Sequence, residues 1–475
     1  MRILGLDIGT QGVRGVVCDE KGRIFAQSTS PFDDMNETAN PDFKEQTPAS
    51  WEQAVIDVIS ACVKSTGGTI DALSLDATSG TIVALDENKK PLTNGIMYND
   101  SRSKEQAARV HAAAGAHEKA LGYKFNASFA LPKILWIMEN EPEVYAKTWK
   151  FVHQSDYIYG LLTGNYGISD YSNALKTGYD LVNLKWPSFI GDLGIDMNKL
   201  PAVVAPGEKI ENISQSAACA TGLKTTAQVF AGATDGFVSA LSAGLAVPGE
   251  WATVIGTTMV LKGLTKNLVL DPEGRIYSHR HPQGWWLPGG ASNVGGICLN
   301  KYFGKDKFQE YDKEVMRLVP TGGIFYPLTV KGERFPFVSA DAQGFYLGDS
   351  NEVKKYAAAM EGVGYTERLS YELLQDLGCE VGDSVLTSGG ACKSIEWLQI
   401  RADIMQKTLM VPDTTDAALG SAMLALSGFK GMKLNDAVSE IVSISKIVEP
   451  DAKNKARYDD LYGQFKDELK KRGYI

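Results

Sequence analysis

Two apolar strands that each break at a Gly-Thr turn, roughly half the chain apart, constrain this sequence more than any other feature. The first is "ILGLDIGTQGVRGVVCDEKG", Ile3 to Gly22, and the second is "WATVIGTTMVLKG", Trp251 to Gly263. In the first, strand propensity is high from Ile3 to Ile8 and from Val13 to Cys18, with Gly-Thr-Gln-Gly between them and Asp-Glu-Lys-Gly after. The local expectation is an antiparallel meander whose third strand is "RIFAQS". Recurrence of the turn suggests a duplicated domain with a phosphate loop in each half.

The chemistry of the turn points the same way. Gly9 and Gly12 free the backbone to bring N–H groups near an anion, and the Thr10 hydroxyl and Gln11 amide add donors. Asp7 at the strand end would repel a phosphate unless a divalent cation lay between, as in Mg–nucleotide sites. A plain hairpin with a glycine turn fits the first stretch equally well. In the second stretch Gly256, Thr257 and Thr258 occupy the turn. Two such loops facing each other across a cleft would grip the β- and γ-phosphates of a nucleotide.

A chain of 475 residues exceeds one hydrophobic core, so two domains are expected. Gly244, Pro248 and Gly249 in "SAGLAVPGE" punctuate the chain and set the expected extents at 1–244 and 245–475. A net charge of −9 without a Lys/Arg-rich stripe argues against nucleic acid as partner, while leaving room for a small anionic ligand. No apolar run approaches a membrane span, so the expected location is the cytoplasm without a membrane partner. Six cysteines without a CxxC pair suit a reduced protein with buried thiols. His279 and His281 would share one side of a strand but lack a third ligand at metal spacing.

These motifs, in this order, resemble the FGGY family of carbohydrate kinases within the actin-like ATPase superfold. "DIGTQGVR" resembles the family's first phosphate loop, "VIGTTMVLKG" its second, and "TSGGACKSIEWLQIRADIMQKTLMVP" its adenosine-binding turn and following helix. "AGATDGFVSALSAGLAVPGE" looks like the catalytic segment, and "SFALPKILWIMEN" like a family signature with Lys133 and Trp136 in place. The resemblance implies Asp235 as catalytic base at the sugar hydroxyl, Asp7 holding Mg²⁺ and lying near the substrate, and Thr10, Gln11, Gly256 and Thr257 on the phosphates of ATP. It implies Gly389, Gly390, Ala391 and Ser394 around the nucleoside, with Ala391 replacing a third glycine common in the family. Asp235 also follows an apolar run and precedes Gly236, which suits a strand end above a helix start, where a helix N-cap is the competing role.

In xylulose kinases of the family the segment aligned with "ATSGT" carries Gln-Met-His-Gly, whose His contacts the sugar. Here those positions are Thr78, Ser79, Gly80 and Thr81, which is more like the D-ribulokinase branch. Ser79 is the expected sugar ligand and Thr78 a second one, against a role as plain strand residues. Asn99, Asp100 and Arg102 match a family segment near the sugar, though Asp100 and Arg102 would serve equally as an ion pair holding the loop. Trp285 and Trp286 fit the core better than a sugar platform.

The implied fold class is α/β, with two actin-like (ribonuclease H-like) domains and a nucleotide/sugar cleft between them. "AAMEGVGYTERLSYELLQDLG" has helical periodicity and leads into the strand "SVLTSGG", and the C-terminal stretch reads as an amphipathic helix packed on the second domain. The implied reaction is transfer of the γ-phosphoryl of ATP to the terminal hydroxyl of a ketopentose, D-ribulose first, with D-xylulose or another ketose or polyol as alternative. A homodimer is compatible with the sequence. A conformational ATPase like actin or the heat-shock chaperones shares the loops, but would need a polymer interface or an appended peptide-binding domain.

Overall fold

The computed structural model describes residues 1–32, 36–37 and 40–475, which fall into two compact units. The first comprises Met1–Ser242, His279–Gly284 and Thr415–Val442; the second comprises Ala243–Ser278, Trp285–Thr414 and Ser443–Ile475.

In the first unit the meander forms as the sequence predicts. Strand Ile3–Ile8 pairs antiparallel with Gly12–Cys18, which pairs antiparallel with Ile24–Pro31. The other edge of Ile3–Ile8 takes Ala72–Ala77 in parallel, followed by parallel Gln228–Phe230 and antiparallel Lys209–Asn212. Ala233–Thr234 adds a short parallel pairing to Ala72–Ala77.

The second unit repeats this wiring. Strand Trp251–Ile255 pairs antiparallel with Met259–Gly263, and that strand with Trp286–Ser292. On the other edge of Trp251–Ile255 lie parallel Ser384–Ser388, parallel Thr408–Pro412 and antiparallel Ile444–Val448. Each sheet is thus a meander extended by two parallel strands and an antiparallel outer strand, so the duplication suggested by the two Gly-Thr turns holds at the level of topology.

Strand alternation decides what each face of the first sheet can carry. Leu4, Leu6 and Ile8 enter the apolar core, where helix Pro48–Ser65 contributes Val55, Val58 and Ile59. The odd positions Gly5 and Asp7 point the other way, toward helix Ala417–Lys430. A Cβ built on Gly5 would lie 1.7 Å from the Ala418 carbonyl oxygen and 2.7 Å from the Ala422 nitrogen. Only glycine admits so close a backbone. The helix meets it with a small-residue surface of Ala418, Gly420, Ser421 and Ala422, and a Cβ on Gly420 would lie 2.1 Å from the Val238 carbonyl oxygen of helix Asp235–Ser242.

The second unit is built around helix Glu352–Asp376 and helix Ile395–Met405. Arg401 and Glu367, both fully buried, pair at 2.7 Å, and Arg401 also donates to the Thr387 hydroxyl at 2.8 Å. The terminal helix Lys455–Lys471 buries Tyr458, Leu461, Phe465 and Leu469 in this core, as its amphipathic pattern predicts. Trp286 is buried too. All six cysteines are free, and five are buried; Cys219, on the short helix Gln215–Thr221, is exposed, which corrects the expectation that every thiol is internal. Among the described residues no helix is long and apolar enough to cross a membrane.

Gly5→Ala is expected to destabilise the protein by about 3 kcal/mol or more, because two backbones, not a flexible side chain, must move apart. Urea unfolding checks this, and an unchanged midpoint would show that the helix does not seat on the strand as described.

Candidate active site

The face opposite the apolar core collects carboxylates. The parallel register sets Asp7 opposite Asp76, so two strand-end acids lie side by side. Asp76 is fully buried, and its Oδ2 accepts a hydrogen bond from the Ser421 hydroxyl at 2.7 Å. Burial and the neighbouring Asp7 push the Asp76 carboxyl well above the usual range, and burial also raises Asp7, with Asp416 and Asp235 adding to the effect. Like charges this close favour one shared proton. Asp416 caps helix Ala417–Lys430 by accepting from the Ala418 N–H at 3.1 Å, and its Oδ2 pairs with Arg14 Nε at 2.7 Å.

Asp235 opens helix Asp235–Ser242 immediately after strand Ala233–Thr234, and it is exposed. Its Oδ1 accepts from the adjacent Gly236 N–H at 2.7 Å. The strand before it is fixed by Ser172, whose hydroxyl accepts from the Thr234 N–H at 3.2 Å. Asp7, Asp76, Asp235 and Asp416 therefore share one electrostatic neighbourhood containing Arg14. This donor set fits Mg²⁺, which binds through one or two carboxylates plus water and phosphate oxygens rather than through an all-protein cage. Among the described residues no group of three or more His, Cys, Asp or Glu is arranged to hold a metal by itself. His279 and His281 are buried, and His281 stacks on Phe237 with ring centroids 6.1 Å apart.

The first Gly-Thr turn borders an open concavity of about 700 Å³ lined by Asp7, Thr10, Gln11, Arg14 and Tyr98 among others. One of its glycines has a packing reason that the sequence does not suggest. Neither Gly9 nor Gly12 has a positive φ. Gly12 is demanded by strand pairing, since a Cβ there would lie 2.4 Å from the Ser30 carbonyl oxygen. The Gly9 N–H is spent on the Gly12 carbonyl at 3.0 Å, and the Thr10 carbonyl accepts from the Gln46 amide at 2.6 Å.

The turn Thr78–Thr81 follows strand Ala72–Ala77. Thr78 is buried, and its hydroxyl lies 2.8 Å from Thr81 Oγ1 and 2.8 Å from Gln154 Oε1. It braces the turn, while Ser79 is only half-buried at the tip. Gln154 begins helix Gln154–Thr163, whose first turn is closed by Asp156 accepting from the His153 N–H at 2.8 Å. Burial, reinforced by nearby Asp170, pushes Asp156 up to about 8. Asp100 and Arg102 pair at 2.8 Å, Arg102 also pairs with Glu45 at 2.6 Å, and its guanidinium lies 3.8 Å from the centroid of the Phe43 ring. They hold the loop.

The second Gly-Thr turn belongs to a separate cavity of about 530 Å³, lined wholly by the second unit. Gly256 and Thr257 form one wall, Gly390, Ala391 and Ser394 another, and Asn300, Lys305 and Asp312 add polar groups. Gly389 lies behind this lining: its φ of 92° is left-handed, and a Cβ there would meet the Ile255 carbonyl oxygen at 2.5 Å. Ser394 caps helix Ile395–Met405 by accepting from the Trp397 N–H at 3.2 Å. Burial raises Asp312, which accepts from the Tyr356 hydroxyl at 2.9 Å.

Sequence reasoning passed over Asp76, Asp416 and the cavity residues Asn300, Lys305 and Asp312. A signal existed for the first: "LSLDATSG" repeats the strand-acid-turn pattern of "LGLDIGTQG". For Asp416 the cue was a helix start, "DAALGSA", with an Asp at the cap position.

Two sheets of one wiring, each with a Gly-Thr turn joining the first two strands of its meander, define a two-domain actin-like kinase architecture. The chain belongs to the FGGY family of carbohydrate kinases: residues 2–242 match the family's N-terminal domain and residues 251–429 its C-terminal domain. It is similar to the xylulose kinase of Bacillus subtilis, with 27% identity covering 98% of this chain and 96% of that one. Gluconokinase of the same organism is 28% identical over 93% of this chain and 90% of its own. The fold matches a crystal structure of a xyloylose kinase from Brucella ovis with a TM-score of 0.89 and 26% identity, covering 100% of this chain and 99% of that one.

Asp156 generates a pH signature in the support of the Thr78–Thr81 turn. Its folded-state value lies above the ordinary 3.8, at about 8, so between these limits the native state binds the extra proton and stability falls as pH rises. Its contribution to the slope is at most about 1.4 kcal/mol per pH unit. Asp156→Asn is expected to flatten the stability curve between pH 5 and 8 (about the window set by those two values) in urea titrations. An unchanged slope would show that Asp156 is ionised in the fold.

Proposed function

We propose that the protein transfers the γ-phosphoryl group of ATP, as its Mg²⁺ complex, to the terminal hydroxyl (O5) of a ketopentose, with D-ribulose as the first-choice acceptor. The observation that carries the reading is the exposed Asp235 carboxylate at the head of its helix, in the field of Asp7 and Asp76. Phosphoryl transfer passes through a loose transition state and asks mainly for positioning and charge neutralisation, so one base at the acceptor hydroxyl suffices.

In this reading the first unit takes the sugar and the second the nucleotide. Asp235 accepts the proton from O5, and Asp7 holds Mg²⁺ through water. Thr10 and Gln11 of one turn and Gly256 and Thr257 of the other contact phosphates. Gly390, Ala391 and Ser394 shape the nucleoside pocket, with Gly389 setting the turn behind them. Ser79 presents its hydroxyl to the sugar, whereas Thr78 is committed to Gln154 and Thr81.

D-Ribulose is favoured by the small hydroxyl residues Thr78–Thr81 where xylulose kinases carry a sugar-contacting His. The second reading, D-xylulose, is favoured by the similarity to relatives named xylulose kinase.

Sugar-dependent ADP release with Mg–ATP tests this across D-ribulose, D-xylulose, L-ribulose, L-xylulose, gluconate, xylitol and glycerol. Preference for D-ribulose is expected; preference for D-xylulose would show that the missing His does not set specificity. Asp235→Asn should fold normally and lose about 10² to 10⁴ in rate, and full activity would remove Asp235 from the role of base.

A further inference from the structure

His279 and His281 lack a third ligand for a metal, and the fold gives them a different task. Segment His279–Gly284 belongs to the first unit and is anchored there along its length. Arg280 donates to the Leu181 carbonyl at 2.6 Å. The Gln283 amide donates to Asn435 Oδ1 at 2.8 Å and accepts from the Asn435 N–H at 3.2 Å. The two rings held in this way lie against Phe237, two residues beyond Asp235 on helix Asp235–Ser242. His281 stacks on the Phe237 ring at 6.1 Å between centroids, and His279 meets it edge-on at 6.4 Å. All three side chains are buried.

His279 also reaches the residue before the base. Its Nδ1 lies 3.3 Å from the Ser172 hydroxyl oxygen, which lies 3.0 Å from Thr234 Oγ1 and accepts from the Thr234 N–H at 3.2 Å. A serine hydroxyl has one proton and two lone pairs, so these three partners saturate it whichever way the protons run. Ser172, Thr234 and His279 are all buried, and a saturated buried network resists displacement because each broken link leaves a polar group dry. Ser172 is itself held in the short helix Tyr171–Ala174, which Asp170 caps by accepting from the Asn173 N–H at 2.9 Å. The backbone is therefore gripped on both sides of Asp235, at Thr234 through Ser172 and at Phe237 through the two rings. The exposed carboxylate between them takes its direction from main chain fixed at these two points.

We propose that His279 is a positioning residue for phosphoryl transfer: through Ser172 on one side and Phe237 on the other it fixes the main chain that carries Asp235, and so the line of that carboxylate toward the acceptor hydroxyl. The proposal rests on the kinase reading of Asp235. His279 acts on the rate and not on binding, because a base displaced by about 1 Å loses on the order of 10² in rate while the acceptor is still held.

The test is steady-state kinetics of His279→Leu, His279→Asn and Ser172→Ala with the acceptor that the wild-type protein uses, each also in the Asp235→Asn background, together with melting temperatures. His279→Leu and Ser172→Ala are expected to lower kcat by about tenfold or more, with the KM for acceptor and for ATP within about twofold of wild type. His279→Asn, which returns a hydrogen-bonding group at the place of Nδ1, should recover most of the loss. In the Asp235→Asn background His279→Leu should change the residual turnover by less than about twofold, since no base remains to be aimed. An unchanged kcat in His279→Leu would overturn the proposal. So would an equal further loss in the Asp235→Asn background, which would mark a merely structural role. Where His279→Leu melts early, a wild-type kcat in a stably folded Ser172→Ala would overturn it instead. Wild-type protein that turns over no sugar, or a fully active Asp235→Asn, would bring down the reading of Asp235 and this proposal with it. Active wild type, impaired Asp235→Asn and indifferent His279 variants would bring down this proposal alone.

Discussion

The first unit depends on one contact between two backbones. At Gly5 the first strand presents no side chain, and helix Ala417–Lys430 fills the space with its own main chain. Two links to the acidic site follow from that approach. It brings Ser421 to Asp76, and it brings the helix start at Asp416 to Arg14 and into the field of Asp7. A larger residue at position 5 would push the helix outward, and the carboxylates would lose the low-dielectric wall that raises them. The apolar face of the same sheet tolerates ordinary hydrophobic repacking far better, because side chains there meet side chains.

Duplication supplied two copies of one turn, and the residue just before each shows how they diverged. In the first copy the strand enters the turn as Asp7-Ile8-Gly9-Thr10; in the second the matching residues are Val254-Ile255-Gly256-Thr257. A carboxylate before the turn permits a cation between protein and phosphate, whereas a valine leaves only backbone and hydroxyl donors. The first copy accordingly opens onto a concavity bordered by Asp7, and the second onto a cavity completed by the turn Gly389–Ser394. One topology thus carries two chemically different turns.

Much of the fold was legible because its signals are local. Strand propensity with glycine turns marked the meanders, periodicity marked the long helix and the terminal one, and the strand-to-helix position of Asp235 followed from the apolar run before it. What escaped is what depends on pairing across long separations. Nothing near Asp76 announces that it will lie opposite Asp7, and nothing near Asp416 announces Arg14. The reason for Gly12 was also hidden: the turn pattern implied backbone freedom, but the constraint is the Ser30 carbonyl on the neighbouring strand. Thr78 and Ser79 look alike in sequence, and only packing against Gln154 separates the brace from the half-buried hydroxyl.

The late return of Thr415–Val442 to the first unit has a consequence for the growing chain. At ribosomal speeds of about 5–20 residues per second, strand Ile3–Ile8 is made on the order of tens of seconds before the helix that covers its second face. Until then the small-residue side of the nascent sheet, with Gly5, Asp7 and Asp76, lacks the helix that seats on Gly5. Premature termination anywhere before Thr415 would therefore damage the amino-terminal unit as surely as the carboxy-terminal one, and the two cannot be expressed as separate halves by cutting the gene once.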